Sequence, residues 1–332
     1  MRRSALRDFF RQLVLTALPL GAACNVDGLP SGGDLALAPP KDAACGDDLG
    51  FFPPQPFSCP GGGYVPVGGP LPPRSTDCTP YCQKCGAQSA TYCEPIDTCQ
   101  YHGVTCFFFQ TGRRPVGLRG AVAAGTDGQG CEVGQALARL AWLEAASVPA
   151  FRQLARELFV HGAPAALVAR AKRAATDEVR HARAMTWLAG EHGVAPLVPS
   201  VRRAATRPLF EVARENAVEG CVREGFGALC ATFQARAATD EALRAAMAGI
   251  AKDETDHAEL AWAVARWAEP RLSPRERQAV AQARRDALAE LVASTDAAPP
   301  EPTARALGLP GAATARLLAT AFAAHIGALA PA

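Results

Sequence analysis

From residue 131 onward, the apolar positions of this 332-residue chain recur in steps of three and four, the spacing of one face of an α-helix. Four such stripes follow one another. The first runs Leu137, Leu140, Glu144, Ser147, Phe151, Leu154 and Leu158, and the second Leu167, Ala171, Ala174, Glu178, His181, Met185 and Leu188. The third runs Val212, Glu215, Glu219, Val222, Phe226, Leu229 and Phe233, and the fourth Leu243, Met247, Ile250, Glu254, His257, Ala261 and Val264. In every stripe a carboxylate sits mid-helix on the apolar face. Gly162 and Pro164 separate the first two helices by a short turn, and Thr239-Asp240 offers an N-cap between the last two, so each pair is expected to be antiparallel. The link from Gly190 to Pro208 is longer and irregular. A stretch of that length reaches about 60 Å when extended, more than the ~38 Å of a 25-residue helix, so it can run the whole length of the bundle. Ser273-Pro274-Arg275-Glu276 reads as a capping box that opens a fifth helix to about Ser294, and a sixth is expected over Gly311 to Ala328.

Two of the inward carboxylates belong to a repeated tetrapeptide, Glu178-Val-Arg-His181 and Glu254-Thr-Asp-His257. Glu and His three apart project from one helix face a turn apart, so each pair can offer a carboxylate and an imidazole to one metal ion. One Glu-x-x-His is commonplace; a second in the same flanks is not. Asp177 and Asp253 precede the two motifs and Ala182 and Ala258 follow them. Upstream, Leu143-Glu144 with Phe151 recurs 75 residues later as Val218-Glu219 with Phe226, which makes the segment an internal duplication. Glu144, Glu178, Glu219 and Glu254 together would bring four negative charges to one core, a costly arrangement unless they are paired or bound to metal. Two divalent ions, iron or manganese, balance that charge. A purely structural polar network is the plainer alternative.

Composition separates a different region ahead of the helices. Residues 24–130 are dense in Pro, Gly and Cys and lack sustained periodicity. The eight cysteines after Cys24, namely Cys45, Cys59, Cys78, Cys82, Cys85, Cys93, Cys99 and Cys106, read as a disulfide framework whose pairing the sequence leaves open. Residues 1–23 have the form of an export signal: Arg2, Arg3 and Arg7, an apolar run from Leu13 to Leu20, then Gly21-Ala22-Ala23. Cys24 follows directly, in a context that resembles a bacterial lipoprotein lipobox; lipidation of Cys24 would anchor an exported protein in the cell envelope by its N-terminus alone. Ordinary signal-peptidase cleavage is the alternative. With 34 Lys+Arg against 32 Asp+Glu, the chain lacks the basic excess of a nucleic-acid-binding protein.

One lone Glu from each of two helices and one Glu-x-x-His from each of the other two resembles the ligand set of ferritin-like di-iron carboxylate proteins. The resemblance covers roughly residues 132–268 and implies an all-α, ferritin-like four-helix bundle over 131–268, extended by helices in 269–332. It implies Glu144, Glu178, His181, Glu219, Glu254 and His257 as ligands of two iron ions, with Glu178 and Glu254 bridging and manganese as the alternative metal. Asp177-Glu178-Val-Arg-His181 is also similar to an element of bacterial multicomponent monooxygenases, which implies that Asp177 holds the His257 ring and Asp253 that of His181. The second copy departs from that element, with Asp256 where Arg would stand. Glu215, one turn before Glu219, is a candidate extra ligand. Glu224 lies about 140° around an ideal helix from Glu219 and reaches the same metal only if a π-bulge intervenes. The activity the resemblance implies is an oxidoreductase that activates dioxygen or peroxide. The competing reading is a non-enzymatic metal-binding or envelope interaction lipoprotein.

Overall fold

The computed structural model describes residues 5–18, 63–66, 93–97, 102–106, 113–119, 131–202, 204–296 and 301–329. These are mostly helical. Ahead of the bundle lie helix α1 (Ala5–Ala17) and a small antiparallel sheet of β1 (Gly63–Pro66), β2 (Cys93–Asp97) and β3 (His102–Cys106), in the order β1-β3-β2. Its register sets Cys93 opposite Cys106. The other framework cysteines, the cleavage zone and Cys24 lie outside the described residues. Among the described residues Cys131, Cys221 and Cys230 are free thiols.

The bundle begins with α2 (Glu132–Val160) and α3 (Ala165–Glu191), joined by a four-residue turn and packed along their lengths. The third helix is composite: α4 (Leu209–Glu215), a π-helical stretch from Asn216 to Glu224, and α5 (Gly225–Ala237). The fourth, α6 (Glu241–Ala268), starts where the Asp240 side chain accepts from the Leu243 N–H. Direction follows from side-chain pairs between α3 and α6. Asp177 meets His257 while His181 meets Asp253, so numbering rises on one helix as it falls on the other, and the two are antiparallel. The third helix, paired with α6 through a tight turn, therefore runs the same way as α3, and the link between them must return along the bundle.

That link is pinned where it arrives. Arg207 gives Glu157 its backbone N–H (3.2 Å), Nε (2.9 Å) and Nη2 (2.8 Å), while Gln153 donates to the same carboxylate at 3.0 Å. Arg156 donates to the Ala204 carbonyl, and the His161 ring meets the Arg207 carbonyl at 2.8 Å. Midway, β5 (Ser200–Val201) pairs with β4 (Leu118–Arg119), which holds a piece of the Cys-rich region against the bundle.

Two apolar layers lie along the bundle axis. One gathers Leu137, Trp142, Met185, Leu188, Met247 and Ile250; the other gathers Phe151, Leu154, Leu158, Leu167, Val212, Leu260 and Val264. Between them come the positions of the inward carboxylates and histidines, so these are walled off from water above and below. A third cluster on the outside of α5 and α6 is completed by α7 (Pro274–Ala293), opened by the Ser273–Glu276 capping box, and α9 (Ala312–Leu329). A short helix, α8 (Glu301–Leu307), which the periodicity does not announce, packs Leu307 into the first layer. Helix α1 buries Leu6, Phe10 and Val14 in the third cluster, and Arg7 pairs with Asp256 at 3.2 Å. No helix among the described residues is long and apolar enough to cross a membrane.

Burial by itself would raise the Glu157 carboxyl, but hydrogen bonds from Arg207 and Gln153 hold it below the ordinary value of 4.5. The resulting stabilisation is complete above that ordinary value and is lost as the pH falls through the folded one. Glu157→Gln is therefore expected to cost about 3 kcal/mol at pH 7, the order for breaking a buried ion pair. Urea titrations should show a smaller difference between wild type and variant at pH 3 than at pH 7; an equal difference at both would contradict the assignment.

Candidate metal centre

The inward positions of α2, α3 and α6 converge because each sits one helical turn from an apolar neighbour that is anchored in one of the two layers. Glu144, Glu178, His181, Glu254 and His257 meet at the bundle axis, and the sixth residue with them is Glu224. All six are between 0% and 6% exposed. Their side-chain atoms form two groups, Glu144/Glu178/His181/Glu254 and Glu178/Glu224/Glu254/His257, each within 4.8 Å of itself. Every group contains one histidine and one private carboxylate, and the two groups share Glu178 and Glu254. Such an arrangement offers two adjacent four-ligand positions joined by two carboxylates.

The histidines are oriented for this. His181 Nδ1 lies 3.2 Å from Glu254 Oε1 and 3.5 Å from Glu144 Oε2, and His257 Nδ1 lies 3.1 Å from Glu178 Oε1. Both Nε2 atoms face outward, His181 to Asp253 Oδ2 at 3.4 Å and His257 to Asp177 Oδ2 at 3.3 Å. A proton on Nε2 that donates to the aspartate leaves the Nδ1 lone pair turned into the site. Arg180 clamps both aspartates at once, reaching Asp177 Oδ1 at 2.8 Å and Asp253 Oδ2 at 2.9 Å. One arginine thus serves both copies of the motif, which accounts for Asp256 in the second: that position carries no aspartate to hold and pairs with Arg7 instead. Burial would raise the Asp177 carboxyl, but the His257 ring and Arg180 hold it below the usual range.

Electrostatically, the carboxyls and imidazoles of the site shift one another's proton affinities. Burial and the neighbouring Glu178 push the Glu144 carboxyl well up, and burial with Glu254 and Glu178 does the same to Glu224. Burial alone would depress both imidazoles, yet the surrounding carboxylates raise them: those of Glu144, Glu178 and Glu254 close to Nδ1 for His181, and the Glu254 charge foremost for His257. Those two rings in turn overcome burial at Glu254 and bring its carboxyl down to about 2. Divalent ions replace such protons when they bind.

Even so, hydrogen bonding is incomplete. Nine side-chain atoms of the six residues are fully buried without a partner of good geometry among the described residues: both oxygens of Glu178, Glu224 and Glu254, one oxygen of Glu144, and the Nδ1 of His181 and His257. Orphaned polar atoms at this density are rare in folded interiors, and here all nine belong to the six residues of the two groups. The donor set is hard oxygen with two imidazoles and lacks the thiolates of softer sites.

Glu219 and Glu215 are placed otherwise. Glu219 accepts from the Arg114 backbone N–H at 3.3 Å and pairs with the Arg114 and Arg223 guanidinium groups. Glu215 takes Arg113 through both oxygens, at 3.0 and 2.7 Å. The cause is the π-helical stretch: i→i+5 bonding takes more residues per turn, so the 3.6-residue register that brings Glu219 inward is lost by Asn216 and regained with Glu224 on the inner face. Gly220 lets the stretch lie close to α6, since a Cβ there would stand 2.7 Å from that of Ala261, and Asn216 donates to the Ala261 carbonyl at 2.9 Å. The duplication also ends here in packing terms. Phe151 lies against the His257 ring at 4.9 Å, whereas Phe226, its counterpart, meets Phe322 of α9.

No family model, curated protein or solved structure matches this chain. The chemistry of the centre therefore rests on its own atoms. Titration of the metal-free chain with manganous ion is expected to register one ion fewer in Glu224→Gln and no loss in Glu219→Gln; loss of an ion with Glu219→Gln and not with Glu224→Gln would reverse the assignment.

Proposed function

We propose that this chain is a ferritin-like dinuclear metal protein, loaded with two iron ions or with manganese, that acts as an oxidoreductase on dioxygen or peroxide. The observation that carries the reading is the set of nine buried, unpartnered ligand-type atoms on six residues, divided into two groups that share Glu178 and Glu254. With all four carboxylates ionised and both imidazoles neutral the cluster would carry a charge of −4, which two divalent ions neutralise.

Each residue has a distinct part. Glu178 and Glu254 would hold both ions, His181 and Glu144 would complete one position, and His257 and Glu224 would complete the other. Asp177, Asp253 and Arg180 keep both imidazoles in the tautomer that ligates through Nδ1. Iron there would supply two electrons, one from each ion, the number that takes peroxide and two protons to water. The apolar layers on either side exclude bulk water from that exchange. The export signal and lipid-anchored Cys24 read from the sequence would put this chemistry in the cell envelope, with a small-molecule oxidant as the partner.

The test is anaerobic loading of the full chain with ferrous iron, metal counting, and then addition of oxygen or peroxide while absorbance is recorded. Two irons per chain with an oxidant-dependent change are expected. Glu178→Ala and Glu254→Ala, each of which removes a ligand from both positions, should lose both ions; metal retained in both variants would sink the dinuclear reading. Two bound irons inert to oxygen and to peroxide would leave the site and remove the oxidoreductase.

A further inference from the structure

Among the described residues, the largest side chain of those almost wholly buried belongs to Arg113, which comes from outside the four helices. It is carried by a strap from Arg113 to Arg119 that turns at Gly117 (φ 89°), receives the Arg202 N–H on the Gly117 carbonyl at 2.9 Å and ends in the β4–β5 ribbon. A guanidinium is expensive to bury, and its partners show what it is held for. Nε and Nη2 make a fork with Glu215, while Nη1 and Nη2 lie 3.3 and 3.4 Å from Asn216 Oδ1. These are the two residues at which the third helix passes from α to π. Nη1 also stands 3.1 Å from where a Cβ on Gly220 would be, in the middle of the π-helical stretch, and the guanidinium carbon is 5.7 Å from the Phe151 ring that abuts His257. The next residue, Arg114, takes Glu219.

We propose that Arg113 is a positioning residue of the metal centre: by gripping Glu215 and Asn216 it fixes the π-helical register in which Glu224, and not Glu219, faces the metals. The inference rests on the dinuclear reading above. Without the strap, Glu215 would keep only the more distant Arg207, at 3.7 Å, and Glu219 only Arg223, beside four more carboxylates, and the stretch would lose the fork that sets where its register changes. The Cys-rich region thereby becomes part of the site through one arginine. Lysine does not replace it, since an ammonium cannot reproduce a planar fork on two acceptors.

The experiment uses the full chain with Arg113→Ala, Arg113→Lys and the milder Glu215→Gln, each titrated with manganous ion against a competing chelator, beside amide hydrogen exchange of the metal-free proteins. All three variants are expected to bind the ion on the His257 side 10–100-fold more weakly, keep the ion on the His181 side, and exchange faster over residues 216–224. Two ions at wild-type affinity with unchanged exchange would overturn the proposal. If Arg113→Ala unfolds by circular dichroism, Glu215→Gln decides: selective loss of one ion supports the role, and wild-type binding overturns it. A wild-type chain that binds no metal overturns the dinuclear reading, while the exchange of residues 216–224 still tests the grip of Arg113, faster exchange supporting it and unchanged exchange overturning it.

Discussion

Everything in this structure answers to the burial of four carboxylates at one level of a helical bundle. Glu144, Glu178, Glu224 and Glu254 are all nearly inaccessible to water, and the nearest positive groups are two imidazoles that are cations only when protonated. Apolar layers above and below make that charge harder to solvate and at the same time position it, because the same three-and-four spacing that sends leucines inward sends each glutamate inward one turn away. Without metals, burial and the neighbouring carboxylates push the Glu144 and Glu224 carboxyls toward their protonated forms, and the carboxylates do the same to both imidazoles. The proposed pair of metals supplies fixed charge instead.

A second ring of acids surrounds the first and is handled differently. Glu215, Glu219 and Glu157 are each met by arginine: Arg113 and Arg207 at Glu215, Arg114 and Arg223 at Glu219, Arg207 at Glu157. The boundary between acids answered by guanidinium and acids left with free lone pairs is also the boundary of the proposed site. Arg180 works in the same sense from the other side, orienting two aspartates so that two imidazoles turn their Nδ1 inward. With Arg180 about half exposed, the value of these contacts is geometric, since ion pairs in contact with water add at most about 1 kcal/mol.

Much of this is legible in the chain. Five of the six converging residues, Glu144, Glu178, His181, Glu254 and His257, follow from regular helical spacing and from the repeated Asp-Glu-x-x-His, because α2, α3 and α6 are regular α-helices where those residues lie. Glu224 is out of reach on a rule of 3.6 residues per turn, which follows Glu215, Glu219, Val222 and Phe226; the sequence admits it only through a π-bulge, the condition that the π-helical stretch over Asn216–Glu224 meets. The local signal for that change was faint, an Asn four residues before a Gly in the one copy of the repeat without a matching partner. Arg113 could not be read at all, since its role depends on a strap with no periodicity that reaches the bundle through a long-range ribbon. The apolar run from Leu13 to Leu20 reads as part of an export signal; helix α1 (Ala5–Ala17) contains only its first residues and packs beside α5, α6 and α9.

The central claim is that two metals sit side by side between Glu178 and Glu254. Crystals grown from iron-loaded protein, with diffraction recorded on either side of the iron absorption edge, test it most directly. Two anomalous peaks ~3.5–4 Å apart, one next to His181 Nδ1 and one next to His257 Nδ1, are the expected result. A single peak, or none, at full iron occupancy elsewhere in the solution assay would contradict it.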